Sequence, residues 1–413
     1  MRRVVIVGAG IVGLCCAYSL LRSGYHVVVV DRDPAGDKAS FGNAGGIAVP
    51  EVLSASSPAM VWRLPKWVLD PLGPVFVRPS HAPRLLPWMV RFLRAGGSHA
   101  RADAAAALFA LNELVYPDLL AVLNDIGLSS DLHRAGALYV YRTRRRLNRD
   151  CAAWKTRKFF GIECQLLSGD EARELEPALS RSVEHAVFTP AWSHVSDPKR
   201  IVDVLRGWLL SQGARIEVGE VTAIIPIGTG QVEVQLRDLR SLNCDVTVVA
   251  AGAWSGQLAS TVGDRVVMES ERGYNGTLPN PAIELSREIV FAEDHFVATP
   301  MSVGLRIGGA AEFAGLFAPP NFTRVTALLA LAEKYLPGLC LEGCQPWMGH
   351  RPATPDSLPV IGPSPHCPNI VYAFGHGHLG LTQAAITGRL IKEICGAQLP
   401  SIDLHPFRIE RFS

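Results

Sequence analysis

The sequence predicts a mixed α/β (α+β) fold. A Rossmann-like nucleotide-binding domain, discontinuous along the chain, is interleaved with a second, antiparallel-sheet domain. Three observations carry this. A strand, a glycine-rich turn, a helix and a second strand fill the first 32 residues. Buried-strand patterns followed by small-residue turns return at Asp245–Ala250 and in "NIVYAFG" near the C-terminus. Between them lie segments that alternate and turn as antiparallel strands do. The expected division gives residues 1–88, 196–262 and 340–413 to the nucleotide domain, and 89–195 and 263–339 to the second, substrate domain.

Val4 to Val7 is a continuous apolar run, as a central parallel strand buried on both faces requires. Gly8, Gly10 and Gly13 follow as G-x-G-x-x-G, with Ile11 and Val12 opening a helix that runs to Arg22 and closes near Gly24. The first glycine makes a tight turn, the second admits a pyrophosphate to the backbone, and the third lets helix and strand pack closely. The helix N-terminus offers free N–H groups and positive dipole charge. A second strand, His26–Val30, ends at Asp31 and Arg32, and Asp31 is placed to accept hydrogen bonds from a ribose diol. Strand, triplet, helix, strand and acid in this order point to a dinucleotide, without separating FAD from NAD.

A small-residue loop, "ASFGNAGGIAVPE" (Ala39 to Glu51), comes next and would let a flat ring approach the main chain. Residues 58–97 are proline-rich and interleave Trp62, Trp67 and Trp88 with Arg63, Lys66, Arg84, Arg91 and Arg94. Helical patterns span about 102–126, 198–212 and 323–335; strand patterns fall at Ala137–Arg142, His185–Thr189, near Arg215 and Val221, at Val232–Leu236, and from Val266 to Gly309. The last 70 residues return to a strand and a helix beginning in "GHGHLGLTQAA".

Composition narrows the function classes. At 413 residues the chain exceeds one typical core. Forty basic residues against 38 acidic ones give no reason to propose nucleic acid. Nine scattered cysteines, an odd number, read as reduced thiols in a cytoplasmic setting, and the Cys340/Cys344 spacing lacks the second pair or histidines of a zinc site, so no metal is expected. The first apolar run is already a structural strand, so no leader is expected, nor does any stretch approach the roughly 18 apolar residues of a spanning helix. The aromatic and basic residues of 58–97, with eight basic residues against Asp150 in 142–158, would suit the surface of an anionic bilayer, or equally a solvated helix and a lid with its tryptophans packed inside.

The fingerprint, "SFGNAGG", "VVAAGAWS", "GHRPATPDSLPVIGP" and "FGHGHLGLT" occur in this order. With them the chain resembles the FAD-dependent D-amino-acid oxidase and glycine/sarcosine oxidase superfamily. Its bacterial D-amino-acid dehydrogenase branch, which includes enzymes for D-proline and cis-4-hydroxy-D-proline, is the nearest likeness. The resemblance covers nearly the whole chain. It implies non-covalent FAD, an amino-acid substrate, and oxidation of a C–N bond to the imino acid.

Such an oxidation moves a hydride from the α-carbon to flavin N5 and needs neither a side-chain nucleophile nor a metal. It needs the substrate aimed at the ring and a site that tolerates negative charge on it. Gly375, His376, Gly377, His378, Leu379, Gly380, Leu381 and Thr382 form a glycine turn and a helix start whose positive end would face that charge. Arg351, stiffened by Pro352 and Pro355, offers a fork for a carboxylate, and the family's G-x-R-P arginine binds the substrate carboxylate at this place. A structural arginine paired with Asp356 is the alternative. Tyr274 is the expected partner of Arg351 on the carboxylate, with a buried core tyrosine as alternative, and His378 is the third catalytic candidate. Ser40, Asn43, Ala44, Gly45 and Gly46 are expected along the flavin. This loop carries no histidine, which leaves a general base in doubt. Val221 is expected at the adenine, and Ala251, Gly252 and Trp254 near adenine and pyrophosphate. The electrons would pass to a quinone or other acceptor, with the protein peripheral on the inner face of the cell membrane. An oxygen-using oxidase of the same fold and a flavoprotein subunit without chemistry are the competing readings.

Overall fold

The computed structural model describes residues 2–56, 64–228 and 230–413. Its first sheet has six strands in the order Arg215–Val218, His26–Asp31, Arg3–Val7, Val246–Val249, Ile370–Phe374 and Val360–Pro363, the last antiparallel and the rest parallel. Val4, Val5 and Ile6 are fully buried, as a strand between two parallel neighbours must be. Helices Ile11–Arg22 and Gly380–Cys395 pack against each other on one face of it. The six strands of this sheet therefore come from the two ends and the middle of the chain, as the alternation of α/β and sheet-rich pieces requires.

The second sheet has nine strands. Eight run in the order Gln345–Ala353, Glu269–Leu278, Gly304–Phe313, Phe296–Met301, Glu288–Phe291, Ala137–Tyr141, His185–Thr189 and Gln165–Ser168, while Val75–Val77 pairs beside Gly304–Phe313. One face carries an apolar core that includes Leu278, Ile289, Ile307 and the helix Thr323–Tyr335. The opposite face turns toward the first sheet. Two smaller sheets complete the fold: Val221–Ile227 with Gln231–Leu236 and Ser241–Cys244, and Gly46–Ile47 with Ser193–Val195 and Leu132–His133.

Four sequence expectations shift. The domain boundary at 340 does not follow the sheets, since Gln345–Ala353 belongs to the nine-stranded sheet, as does Val75–Val77. The helix expected over 102–126 is two helices, Ser98–Asn112 and Val115–Asp125. They join the first core rather than the second; Gln383 on the C-terminal helix donates to Asn112 Oδ1 at 2.9 Å. By length and hydropathy alone the stretch Ser98–Asp125 would suffice to cross a membrane. Here it buries Leu108, Leu111, Val115 and Leu119 against the nucleotide domain. Trp67 and Trp88 are core residues, the Trp88 indole donating to Ala353 O at 2.9 Å, so neither is available to a bilayer. Trp62 and Arg63 lie outside the described residues.

Candidate active site

A cavity of about 1670 Å³ opens between the two sheets and is walled by both. Drug-sized pockets hold roughly 300–1,000 Å³, so this one has room for a dinucleotide and a small second molecule.

The fingerprint builds one end. Gly8 sits at φ +113°, and a Cβ there would lie 2.4 Å from Ala250 O. At Gly13 a Cβ would lie 2.0 Å from Gly8 O, so this glycine serves packing and does not reach the cavity. Gly10, Ile11 and Val12 line the cavity at the helix start. The first-turn N–H groups of a helix have no partner within it. The Ile11 N–H donates to Ser40 Oγ at 2.9 Å, which leaves the hydroxyl proton free to point into the cavity. Asp31 and Arg32 form the next stretch of wall. Asp31 Oδ2 accepts the Ala9 N–H at 2.7 Å, while Oδ1 accepts from Asp33 N and from Lys38 Nζ. Its carboxylate is thus held in place with acceptor capacity remaining. Arg32 lies 4.0 Å over the Trp254 ring, whose buried indole N–H has no partner among the described residues. Val221, Ala251 and Gly252 complete this end. A glycine cradle, unpaired helix N–H groups and an orphaned indole donor fit the phosphates and polar edge of a nucleotide.

The loop after the second strand runs along the cavity through Asn43, Ala44, Gly45 and Gly46. Asn43 shapes it: its amide donates to Ser40 O at 2.8 Å, and its oxygen accepts the Gly45 N–H at 2.9 Å. Across the cavity the C-terminal turn holds Gly375 and Gly377 at positive φ and starts the helix Gly380–Cys395, whose first turn has no side-chain cap and no acid. Gly380 and Leu381 line the cavity with their N–H groups unclaimed by any cap. Thr382 does not line it; its hydroxyl accepts the Ala48 N–H at 3.0 Å and ties helix to loop. His376 lines the cavity and is buried against Thr387 Oγ1 at 2.9 Å, and burial pushes its pKa down to about 3, so its imidazole is held neutral. His378 is exposed at the cavity wall, next to Leu379.

Arg351 also lines the cavity, on the edge strand of the large sheet. Its strand is fastened to the C-terminal turn, where the Gly377 N–H donates to Pro352 O at 3.0 Å. The guanidinium lies over Gly273, where a Cβ would sit 2.5 Å from Cζ. Its partner is Glu271, at 2.8 Å from Nη1, and not Asp356, which is bound by Arg411. Tyr274 is placed elsewhere. Arg351 stands opposite Glu271 in the antiparallel register and Tyr274 opposite Met348, so strand alternation puts them on opposite faces. Tyr274 borders the cavity, but its hydroxyl donates to Glu312 Oε2 at 2.5 Å and accepts the Asn321 N–H at 3.1 Å. The expected carboxylate partner is therefore occupied in a buried network with Arg78 and Arg272.

Several wall residues carry no local signal in the sequence. Glu288 is buried, accepts the Trp192 indole N–H at 3.1 Å, and stands so close to Gly46 that a Cβ there would come within 2.5 Å of its carboxyl. Burial pushes its pKa up to about 8, partly offset by the indole hydrogen bond. Glu51 accepts from Arg157 at 2.8 Å and from the Tyr139 hydroxyl at 3.2 Å. Buried Arg306 donates to Asn43 O at 2.8 Å and to Thr277 Oγ1 at 3.0 Å. Glu288 reaches the site through strand pairing, Glu51 ends the loop that follows the second strand, and Arg306 stands behind that loop, bonded to Asn43, rather than in the wall itself.

With this geometry in hand, comparisons with known proteins agree. The family described as DAO, FAD dependent oxidoreductase, matches residues 3–394. A D-amino-acid oxidase of Bradyrhizobium diazoefficiens is 34% identical over 420 residues, covering 100% of this chain and 99% of that one. A D-amino acid dehydrogenase of Rhizobium johnstonii is 28% identical over 416 residues, covering 99% and 100%. Among solved structures, glycine oxidase from Geobacillus kaustophilus superposes with a TM-score of 0.77 at 22% identity over 99% of both chains. L-proline dehydrogenase from P. horikoshii gives 0.74 at 18% identity, over 100% of this chain and 97% of that one. At these identities the two structures speak for the fold alone.

Proposed function

The chain belongs to the DAO family of FAD-dependent oxidoreductases, and from that premise we propose that it oxidises a D-amino acid to the imino acid, with D-proline and cis-4-hydroxy-D-proline as leading candidates. The observation that carries this is Arg351, a guanidinium laid flat over Gly273 at the cavity wall and fastened through Pro352 to the C-terminal turn. When bound, FAD supplies the acceptor for the hydrogen and electron pair of the substrate's α-carbon. Gly8, Gly10 and the helix from Ile11 would hold its pyrophosphate, Asp31 its ribose, and the open N-terminus at Gly380 an anionic ring edge. Among the described residues no cysteine lines the cavity, which supports non-covalent binding. Arg351 would fix the carboxylate by a planar fork. Its ion pair with Glu271 is part-exposed and worth about 0–1 kcal/mol, weak enough to be rearranged by a ligand.

Purified with FAD, the protein should be bleached anaerobically by D-amino acids of the proline series and not by their L-forms. Arg351→Ala should weaken substrate roughly 10- to 100-fold while keeping FAD, the cost of one charge-assisted carboxylate contact. A chain that no amino acid bleaches, or an Ala variant with unchanged apparent affinity, sinks the reading.

For the electrons, we infer a quinone or other acceptor at the inner membrane face. Support comes from exposed Leu86 and Val90 beside Arg84 and Arg94 on the helix Ala82–Ala95, and from exposed Leu69 and Phe317. Sedimentation with anionic and with neutral vesicles tests it; absence from both pellets overturns it. The relative named D-amino-acid oxidase favours a second reading, direct use of oxygen. Stoichiometric peroxide without any added acceptor would select it.

A further inference from the structure

We propose that Glu271 is the receptor for the substrate's ammonium group, so that Glu271 and Arg351 together read a zwitterion rather than a carboxylate alone. The inference rests on the carboxylate role of Arg351 argued above. The two residues stand directly opposite on neighbouring antiparallel strands, a placement that sets their Cβ atoms about 5 Å apart. Both line the cavity, and both are only partly covered. Gly273, two residues along on the same face, leaves room for the guanidinium to lie flat, which fixes the plane of the fork.

The pair uses little of its capacity. Arg351 bonds Glu271 through Nη1 alone, and Glu271 replies through Oε1 alone. An arginine has five N–H donors and a carboxylate about four acceptor sites, so both retain open positions toward the cavity. An α-amino acid carries its ammonium one carbon from its carboxylate. Set beside this dyad, each charged end meets an opposite charge, and the Arg351–Glu271 contact need only loosen. A carboxylic acid without nitrogen meets the same fork with an anion at its side, and like charge at that distance costs affinity. Other carboxyls of the wall are placed differently. Glu51 is engaged by Arg157 and Tyr139. Glu288 lies four strands from the strand of Arg351 in the sheet, about 19 Å at ordinary strand spacing, too far for the α-amine of an anchored substrate.

The experiment compares two ligands of one shape on the FAD-loaded protein. D-Proline affinity comes from the concentration dependence of anaerobic flavin bleaching, and cyclopentanecarboxylate affinity from its perturbation of the flavin spectrum. Glu271→Gln keeps the shape and removes the charge. It should weaken D-proline about tenfold and tighten cyclopentanecarboxylate several-fold, a crossover that a structural role for Glu271 would not produce. Glu271→Asp should restore part of the preference for the amine. D-Alanine against propionate repeats the test if D-proline is not bleaching. Shifts in the same direction for both ligands, or none for either, overturn the inference while Arg351→Ala still weakens both. If Arg351→Ala weakens neither, the carboxylate reading itself fails, and this inference with it.

Discussion

A carboxyl without a basic partner is an expensive group to place in a cavity wall, and Glu288 is such a group. It is 2% exposed, its hydrogen-bond donor is the neutral Trp192 indole, and among the described residues it joins no ion pair. Desolvation disfavours the anion, so its pKa rises from an unfolded value near 4.5 to about 8. A group whose pKa is raised by folding contributes stability that is fully present below the unfolded value and is lost as pH climbs to the folded one. Wild type should therefore lose stability between about pH 4.5 and 8 through this residue. Glu288→Gln, which keeps the oxygen that accepts from Trp192, has no such term. Urea unfolding of the two FAD-loaded proteins at pH 5, 7 and 9 should show the variant gaining on wild type up to pH 8 and holding level beyond. The gap should reach a few kcal/mol, since each pKa unit is worth about 1.4 kcal/mol. Curves that stay parallel at all three pH values would show that Glu288 is not neutral in the folded state. Nothing around Glu288 in the sequence "LSREIVFAE" marks it as buried or as part of a cavity. Only its pairing in the sheet puts it beside Gly46.

At the scale of strands, alternation decides which side chains can act together. Glu271 and Gly273 share a face with Arg351, while Tyr274 is turned to the far face with Glu312. Gly273→Ala isolates this effect. Its Cβ would meet Arg351 Cζ at 2.5 Å, so the guanidinium must lift from its seat, while the FAD half of the cavity is untouched. The variant should bind FAD as wild type does and raise the substrate concentration for half-maximal bleaching at least several-fold, with a smaller effect on the limiting rate. Unchanged half-saturation would mean that the plane of the fork is not what positions the substrate. The same contrast explains what the sequence could disclose. The fingerprint and the C-terminal turn were legible because each is local: strand, turn and helix follow one another within some thirty residues. Arg351 was legible through its family motif. Its partner was not, because Glu271 is eighty residues away and meets it through strand register, which no local pattern specifies. Tyr274 was expected beside Arg351 from the resemblance, with a buried core tyrosine as the alternative, and the register selects the alternative by turning it to the far face. The tryptophans of 58–97 left two readings open because composition reports aromatic content and not burial; Trp67 and Trp88 follow the packed alternative.

Across the whole molecule, the cavity is held together by contacts between the two domains on a single loop. Residues 37–47 leave the nucleotide sheet and are tied at four points, three to the large sheet and one to the small sheet that holds Ser193–Val195. The Trp347 indole bonds Asp37, Asn275 donates to Gly42 O, Arg306 donates to Asn43 O, and Gly46–Ile47 pairs with Ser193–His194. Arg306 is the cation among these ties. It is 8% exposed, its partners are carbonyls and a hydroxyl with no carboxylate among them, and burial lowers its pKa despite Asp197. A buried cation with neutral partners persists only where its hydrogen bonds are well made, so the loop and Arg306 stabilise each other. Arg306→Met should preserve much of the packing, remove the desolvation cost and cut the tie to Asn43. The protein itself should then fold with near-normal stability, whereas FAD, which on the proposed reading lies along this loop, should be held less tightly. Ligand that binds only the folded state stabilises it by RT ln(1 + [FAD]/Kd), so weaker binding appears as a melting temperature that climbs with added FAD where wild type is already saturated. We expect the variant to lose FAD on gel filtration and to regain wild-type melting in excess FAD. Arg351→Ala, which touches only the substrate half, should do neither. A variant that keeps its FAD and melts like wild type throughout would place the hold on the cofactor within the nucleotide domain alone, and the second domain's part in the site would be confined to the substrate.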